Sequence, residues 1–273
     1  MKTRVISSIV ALPILLLFGF LGGIPMKAAC LLVSLIGLKE IYQAFFNEFK
    51  LISLTGYVAC IFYVGLIDII SKEYLIFILT LLILITFAFM VICHTTVTIY
   101  DAVTVIFGFL YVPFLLTNVY LTRQLQEGGS YLVWLIFISA WGCDSGAYMF
   151  GVTFGKRKLI PTLSPNKTIE GSIGGVLTSA VLGGLYAWFI SEKLASFENH
   201  VLIISCVIIC SLGAVLAQFG DLTASAIKRT TKIKDFGNVM PGHGGVVDRF
   251  DSILFTAPVI YLGFLLFVNT VNV

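Results

Sequence analysis

Apolar residues follow one another through this chain in runs of about twenty, separated by short polar breaks, and that spacing leaves few folds open. A helix rises about 1.5 Å per residue, so roughly twenty residues cover the ~30 Å hydrocarbon core of a bilayer. Runs of this kind fall near 5–22, 25–46, 51–70, 74–94, 101–121, 131–151, 170–190, 200–220 and 250–270. None shows the strict alternation of a membrane β-barrel strand. With 59% hydrophobic and 11% charged residues and a mean hydropathy of +1.03, a soluble domain is excluded. The expected fold is all-α: a polytopic integral membrane helical bundle of about nine transmembrane segments.

The first run has Lys2 and Arg4 ahead of Ile6–Phe20, as a secretory signal would. Apolar segments follow it throughout, so retention as the first span is expected. The run 25–46 is the weakest, interrupted by Lys39, Glu40 and Gln43, and an interfacial helix is the alternative there. If the amino terminus is cytoplasmic and all nine runs cross, thirteen of the seventeen Lys and Arg lie inside and only Lys27, Lys72, Arg123 and Lys193 outside. That positive-inside bias points the polar loops 152–169 and 229–249 at the cytoplasm, in a multi-pass inner or plasma membrane protein.

No polar segment is long enough for a soluble core of its own. The expected division is an N-terminal scaffold of spans, 1–130, with a candidate dimer interface, and a catalytic membrane region, 131–273. The basic residues cluster in two loops without an extended soluble face, which argues for anionic headgroups or phosphorylated substrates and against nucleic acid. Six cysteines scattered through apolar runs, without a CxxC pair, read as buried thiols.

Between Asp221 and Asp251 runs DLTASAIKRTTKIKDFGNVMPGHGGVVDRFD, a charged string beside membrane-spanning sequence. Charged side chains at membrane depth are costly, face water or each other, and mark function. As a helical continuation of the eighth run, Asp221, Ser225 and Lys228 share one face with Arg229 beside them. An intrahelical acid–base ladder is the bland account of that face. Lys234-Asp235 and Gly242-His243-Gly244-Gly245 follow, and glycines there let successive N–H groups turn toward an anion such as phosphate. The ninth helix is expected to start near Asp248, with Asp251 on the same side of its first turn. There Asp251 is either a dipole-favoured acid or a further metal ligand. Asp221 and Asp248, from separate helices, could meet across a cavity and hold a hard divalent cation.

The second polar region is WGCDSGAYMFGVTFGKRKLIPTLSPNKTIEGSIGG. Asp144 sits well inside the sixth run, with Tyr148, Gly151 and Gly155 following on its face, and its economical partners are a cation or a basic side chain of these loops. Lys156-Arg157-Lys158 reads as a positive-inside anchor. Ser164, Asn166 and Lys167 precede a helix start, where a phosphate could bind. Glu170 suits the first turn, and Gly171, Gly174 and Gly175 form a close-packing face.

The string S-A-I-K-R from Ser225, K-D at 234–235, Gly237, Pro241 and H-G-G-V-V-D-R-F-D from His243 to Asp251 resembles the signature of the phosphatidate cytidylyltransferase, or CDP-diacylglycerol synthase, family. D-S-G-A-Y from Asp144 and S-P-N-K-T-I-E-G from Ser164 are similar too, so the likeness covers roughly 140–270. The resemblance implies a membrane enzyme that joins CTP and phosphatidic acid into CDP-diacylglycerol and pyrophosphate. It also implies Mg²⁺, with a monovalent cation such as K⁺ beside it, and a homodimer. On that reading Asp221 and Asp248 are metal ligands, with Asp144 and Asp251 as further candidates. Lys228, Arg229, Lys234 and Arg249 handle phosphates, His243 donates to pyrophosphate, and Ser225, Asp235, Gly244, Gly245, Lys167, Ser164, Asn166 and Tyr148 line the substrates.

Two rival readings differ in chemistry. A CTP-dependent polyprenol or phytol kinase would move the γ-phosphate to an alcohol and need a base. An anion transporter would line a midplane path with the same charges, whereas these charges lie toward one face.

Overall fold

The computed structural model describes residues 13–46, 49–68, 72–194, 197–239 and 244–271. Residues 13–21 are helical (α1) and are followed by α2 (Gly23–Phe46), α3 (Ser53–Leu66), α4 (Lys72–Ile92) and α5 (Ile99–Phe109). A π-helical turn (Leu110–Phe114) leads into α6 (Leu115–Arg123). Then come the short α7 (Gly129–Leu132), α8 (Trp134–Phe154), an antiparallel hairpin of β1 (Lys158–Ile160) and β2 (Ser164–Thr168), α9 (Ile169–Ile190), α10 (Asn199–Thr230) and α11 (Val247–Val271).

Among the described residues, six stretches are long and apolar enough to cross a bilayer: Leu75–Ile92, Ile99–Arg123, Gly129–Phe154, Ile169–Lys193, Asn199–Thr230 and Val247–Phe267. The expectation of about nine is thus carried for six. The physical reasons are local. α3 has 14 residues and reaches about 21 Å, short of the hydrocarbon core. α2 carries Lys39 and Glu40 in its apolar run, and most of the first run lies outside the described residues. All six cysteines are thiols without disulfides, and all but Cys93 are buried.

The chain forms two compact units. One holds the described residues of 1–117 and 231–249, so the glycine-rich loop and the first residues of α11 belong with the N-terminal helices. In this unit Thr98 caps α5: its Oγ accepts from Asp101 N–H at 3.4 Å while Asp101 Oδ2 accepts from Thr98 N–H at 2.8 Å. Lys50 Nζ donates to the other Asp101 oxygen at 2.7 Å. The Tyr42 hydroxyl on α2 donates to Val105 C=O on α5 at 3.0 Å, and Gly108 makes room for its ring. The π turn holds Pro113, which brings no N–H to the ladder.

The other unit holds the described residues of 118–230 and 250–273. Its centre is the pairing of α8 with α9, and small residues let the backbones approach. A Cβ on Gly171 would stand 2.7 Å from Ala147 O, and one on Gly175 2.7 Å from Cys143 O. The close-packing face expected of Gly171, Gly174 and Gly175 is therefore built against α8. Ser139 and Ser179 hydroxyls both donate to Cys210 C=O, at 2.9 and 3.1 Å, tying α8 and α9 to α10. α10, with 32 residues, is about 48 Å long and carries its last, polar turns beyond a bilayer's hydrocarbon thickness.

Candidate active site

In the unit built on α8–α11, four elements bring polar side chains together. α8 presents Asp144, which is exposed although it lies in the middle of a membrane-crossing helix. α10 presents Asp221, and β2 brings Lys167 to it as an ion pair. Ser252, on α11, donates to Asp144 Oδ2 at 3.4 Å. Asp251, half-buried beside it, accepts from Ser252 N–H at 2.8 Å through Oδ1. Gly220 lets α10 close on this turn of α11, since a Cβ there would collide with the Asp251 carbonyl oxygen.

The electrostatics of this cluster are strained by like charges. Asp144 and Asp251 each feel repulsion from Asp221, and Asp251 also from Asp144. Lys167 offsets the field at Asp144, and Lys228 offsets it at Asp251. Three acids against two lysines form an arrangement that a further cation would relax.

One turn before Asp221, α10 is joined to α9 by a hydrogen-bonded seam. Ser172 on α9 donates to Gln218 Oε1, and Gln218 Nε2 donates to Ser172 C=O at 3.1 Å. Thr168 caps α9 by accepting from Gly171 N–H at 3.1 Å. That cap ends β2 and sets Lys167 next to the helix start. The segment 152–169, expected as a loop, thus contains a hairpin that carries Ser164, Asn166 and Lys167 on its second strand. Glu170 accepts from the N–H groups of Lys156 and Arg157 and turns that basic run back over the α9 terminus.

The continuation of α10 is helical through Asp221, Ser225 and Lys228 to Thr230. Ser225 and Lys228 are partly covered, whereas Arg229 is exposed. Tyr148 is 74% exposed on α8.

The glycine-rich loop is organised separately, in the other unit, and its polar groups turn inward. Asp248 is 8% exposed, and its Oδ2 accepts from Phe236 N–H at 2.8 Å and Gly245 N–H at 3.0 Å. Gly244 adopts φ +85°, the left-handed region, and a Cβ there would stand 2.9 Å from Asp248 Oδ2. Lys234, Asp235 and Arg249 are exposed. The Gly245 N–H, expected to face a phosphate, here meets the protein's own Asp248 carboxylate. His243 lies outside the described residues, as does the Gly242 beside it.

Sequence reasoning missed Glu40. This acid of α2 is 2% exposed and accepts from Val246 N–H through Oε1 and from Val247 N–H through Oε2, both at 2.8 Å. The sequence does carry a signal, an acid in the middle of an apolar run, but that pattern alone indicates only a weaker span.

Among the described residues no three His, Cys, Asp or Glu side chains form a ready-made metal cage. The donor set of Asp144, Asp221 and Asp251 is carboxylate oxygen throughout, which suits Mg²⁺ held by one or two carboxylates together with substrate phosphates.

Fold and site define a multi-pass helical membrane protein that gathers carboxylates and lysines from several of its spans and from the hairpin between two of them. The chain belongs to the cytidylyltransferase family, which it matches over residues 2–267. It is similar to the phosphatidate cytidylyltransferase of Staphylococcus aureus (strain COL), at 34% identity over 268 residues covering 95% of this chain and 97% of that protein. Those of Staphylococcus haemolyticus (strain JCSC1435) and Staphylococcus epidermidis (strain ATCC 12228 / FDA PCI 1200) are 34% and 33% identical over 265 residues, again covering 95% of this chain and 97% of each relative.

Proposed function

We propose that this chain is a phosphatidate cytidylyltransferase, a nucleotidyltransferase that makes CDP-diacylglycerol and pyrophosphate from CTP and phosphatidic acid. Full-length similarity to enzymes of that name is the observation that carries the reading. The cluster of Asp144, Asp221, Asp251, Lys167 and Lys228 supports it, because the reaction joins two polyanions and needs charge management more than a strong base.

A phosphomonoester has its second pKa near ~6, so the lipid phosphate is largely dianionic at neutral pH. One of its oxygens attacks the α-phosphorus of CTP and forms the new P–O bond. The bond from that phosphorus to the bridging oxygen breaks, and pyrophosphate leaves with the electron pair. No proton has to be taken from the nucleophile. What the site must supply is approach, in-line alignment and stabilisation of the leaving charge.

Lys167, held by Asp221 before substrate arrives, can exchange that carboxylate for a phosphate oxygen, and Lys228 offsets the charge of Asp251. Arg229, exposed at the end of α10, can reach an outer phosphate of nucleotide or lipid, and Lys234 and Arg249, exposed in the other unit, are further candidates for phosphate binding. Asp221, Asp144 and Asp251 are the residues that would hold Mg²⁺, which supplies charge neutralisation of the phosphates. Ser252 orients Asp144 by its hydrogen bond. Asp248 organises the glycine-rich loop, so its part in metal binding is secondary in this reading.

Phosphatidic acid keeps its tails in lipid while CTP is water-soluble, so the site is expected to open at the cytoplasmic interface. The excess of Lys and Arg in 152–169 and 229–249 supports that orientation. The test is direct. Purified protein with CTP, Mg²⁺ and phosphatidic acid should yield CDP-diacylglycerol and pyrophosphate in equal amounts. CDP with a phosphorylated alcohol would instead identify a lipid kinase, and anion flux without nucleotide turnover would identify a transporter.

A further inference from the structure

Glu40 follows Lys39 in α2 and is buried together with Leu38 and Ile41. A carboxylate so covered persists only where donors meet its oxygens. Here each oxygen takes one of two consecutive backbone N–H groups, Val246 and Val247, at 2.8 Å. Those groups lie at the start of α11, where N–H donors have no partner within the helix. The loop closes on the carboxylate from two sides. A Cβ on Gly237 would stand 2.6 Å from Glu40 Oε1, and one on Gly245 2.5 Å from Oε2. One turn earlier on α2, Gly37 leaves room for Val112, whose methyl would stand 2.7 Å from a Cβ there, and a methyl of Val247 lies at 3.5 Å from the same point.

The clamp is linked onward to the charged residues of the loop. Arg249 N–H donates to Val246 C=O at 3.0 Å, so the residue Glu40 holds also fixes the backbone of Arg249. Asp248 takes the Gly245 N–H, the one immediately before the two that Glu40 takes. Three successive N–H groups, Gly245 to Val247, are therefore bound by two carboxylates from distant parts of the sequence.

We infer that Glu40 is a positioning residue of the proposed cytidylyl transfer: it sets the start of α11 and with it the placement of Asp248 and Arg249, without itself touching substrate. The inference rests on the phosphatidate cytidylyltransferase reading. Glu40→Gln replaces one acceptor oxygen with an NH2 group that would face a backbone donor. Glu40→Asp keeps the charge and both oxygens but falls one methylene short.

The experiment measures initial rates of CDP-diacylglycerol formation by the folded, monodisperse full chain in detergent, together with hydrogen exchange at the Val246 and Val247 amides. In Glu40→Gln, kcat should fall about tenfold or more, with KM for CTP and phosphatidic acid changing by less than about threefold, as expected of a misplaced but intact group. Glu40→Asp should recover part of that loss, and exchange at both amides should quicken in the Gln variant. Wild-type kcat in folded Glu40→Gln, or unchanged exchange at the two amides, would overturn the inference. If Glu40→Gln is not recovered folded, the same kcat and exchange comparison on Glu40→Asp decides it. If the parent protein makes no CDP-diacylglycerol, the functional reading has failed, and amide exchange alone then decides whether Glu40 clamps the loop.

Discussion

Lys167 on β2 and Asp221 on α10 form an ion pair whose two side chains are 28% and 32% exposed. At that exposure the pair adds little to stability, on the order of 0–1 kcal/mol. Its interest is chemical, because a cation resting on an acid is ready to pass to an incoming phosphate. Lys167→Ala should lower kcat/KM about a hundredfold and leave the melting temperature nearly unchanged. Lys158→Ala, on the basic run turned over α9, should change it less than about threefold, as expected of a membrane anchor. Rates of CDP-diacylglycerol formation rank the two, and the reverse order would move the phosphate site to the other end of the hairpin.

Asp144 and Asp221 repel each other within one cluster, and Asp144 is exposed in mid-span. Asp221→Asn and Asp144→Asn should each reduce kcat by about a thousandfold in protein that stays folded. Residual activity in the weaker of the two should need more Mg²⁺ for half-saturation. A metal titration of rate against Mg²⁺ checks this, and wild-type rates in either variant would remove that residue from the site.

Asp248 binds two buried N–H groups, so its loss has a structural signature that loss of a pure metal ligand lacks. Asp248→Ala strands Phe236 and Gly245 N–H, at about 1–3 kcal/mol for each unsatisfied buried group. The expected outcome is loss of activity together with a lowered melting temperature. Differential scanning fluorimetry beside the rate assay separates the cases, since inactivity with an unchanged melting temperature would return Asp248 to a ligand-only role.

Gly220 and Gly65 contrast close approach with open space. A Cβ at Gly220 runs into the Asp251 carbonyl, whereas one at Gly65 meets nothing within 4 Å. Gly220→Ala should destabilise by about 1–3 kcal/mol, as overpacking does, and displace Asp251 enough to lower activity. Gly65→Ala, inside α3, should stabilise by about 0.5–1 kcal/mol through helix propensity. Thermal unfolding of the two variants in one detergent measures both signs.

The helical character of the chain was legible because it follows from local hydrophobic length, and α10 and α11 carry their charged ends where periodicity put them. The span count was less legible. α3 and α2 show why: one is an apolar helix of only 14 residues and the other is interrupted by Lys39 and Glu40, so a run of apolar sequence does not by itself fix the length of an uninterrupted apolar helix. The hairpin that holds Lys167 is not legible in the sequence, because a three-residue strand paired with a five-residue one leaves no periodic signal.

The order of residues alone determined that this is a helical membrane protein and singled out a few acids, lysines and glycines as candidates for its chemistry, since a charged group in an apolar chain is costly to keep without a use. Which groups each acid meets was decided only by tertiary structure. Asp144, Asp221 and Asp251 lie far apart in sequence and gather in one unit, while Asp248, only three residues before Asp251, turns to backbone N–H groups of its own loop. Glu40 could be assigned only once folding brought it to Val246 and Val247, about two hundred residues away. A carboxylate looks the same in sequence whether it meets a cation or an amide, and only its three-dimensional neighbours tell the two apart.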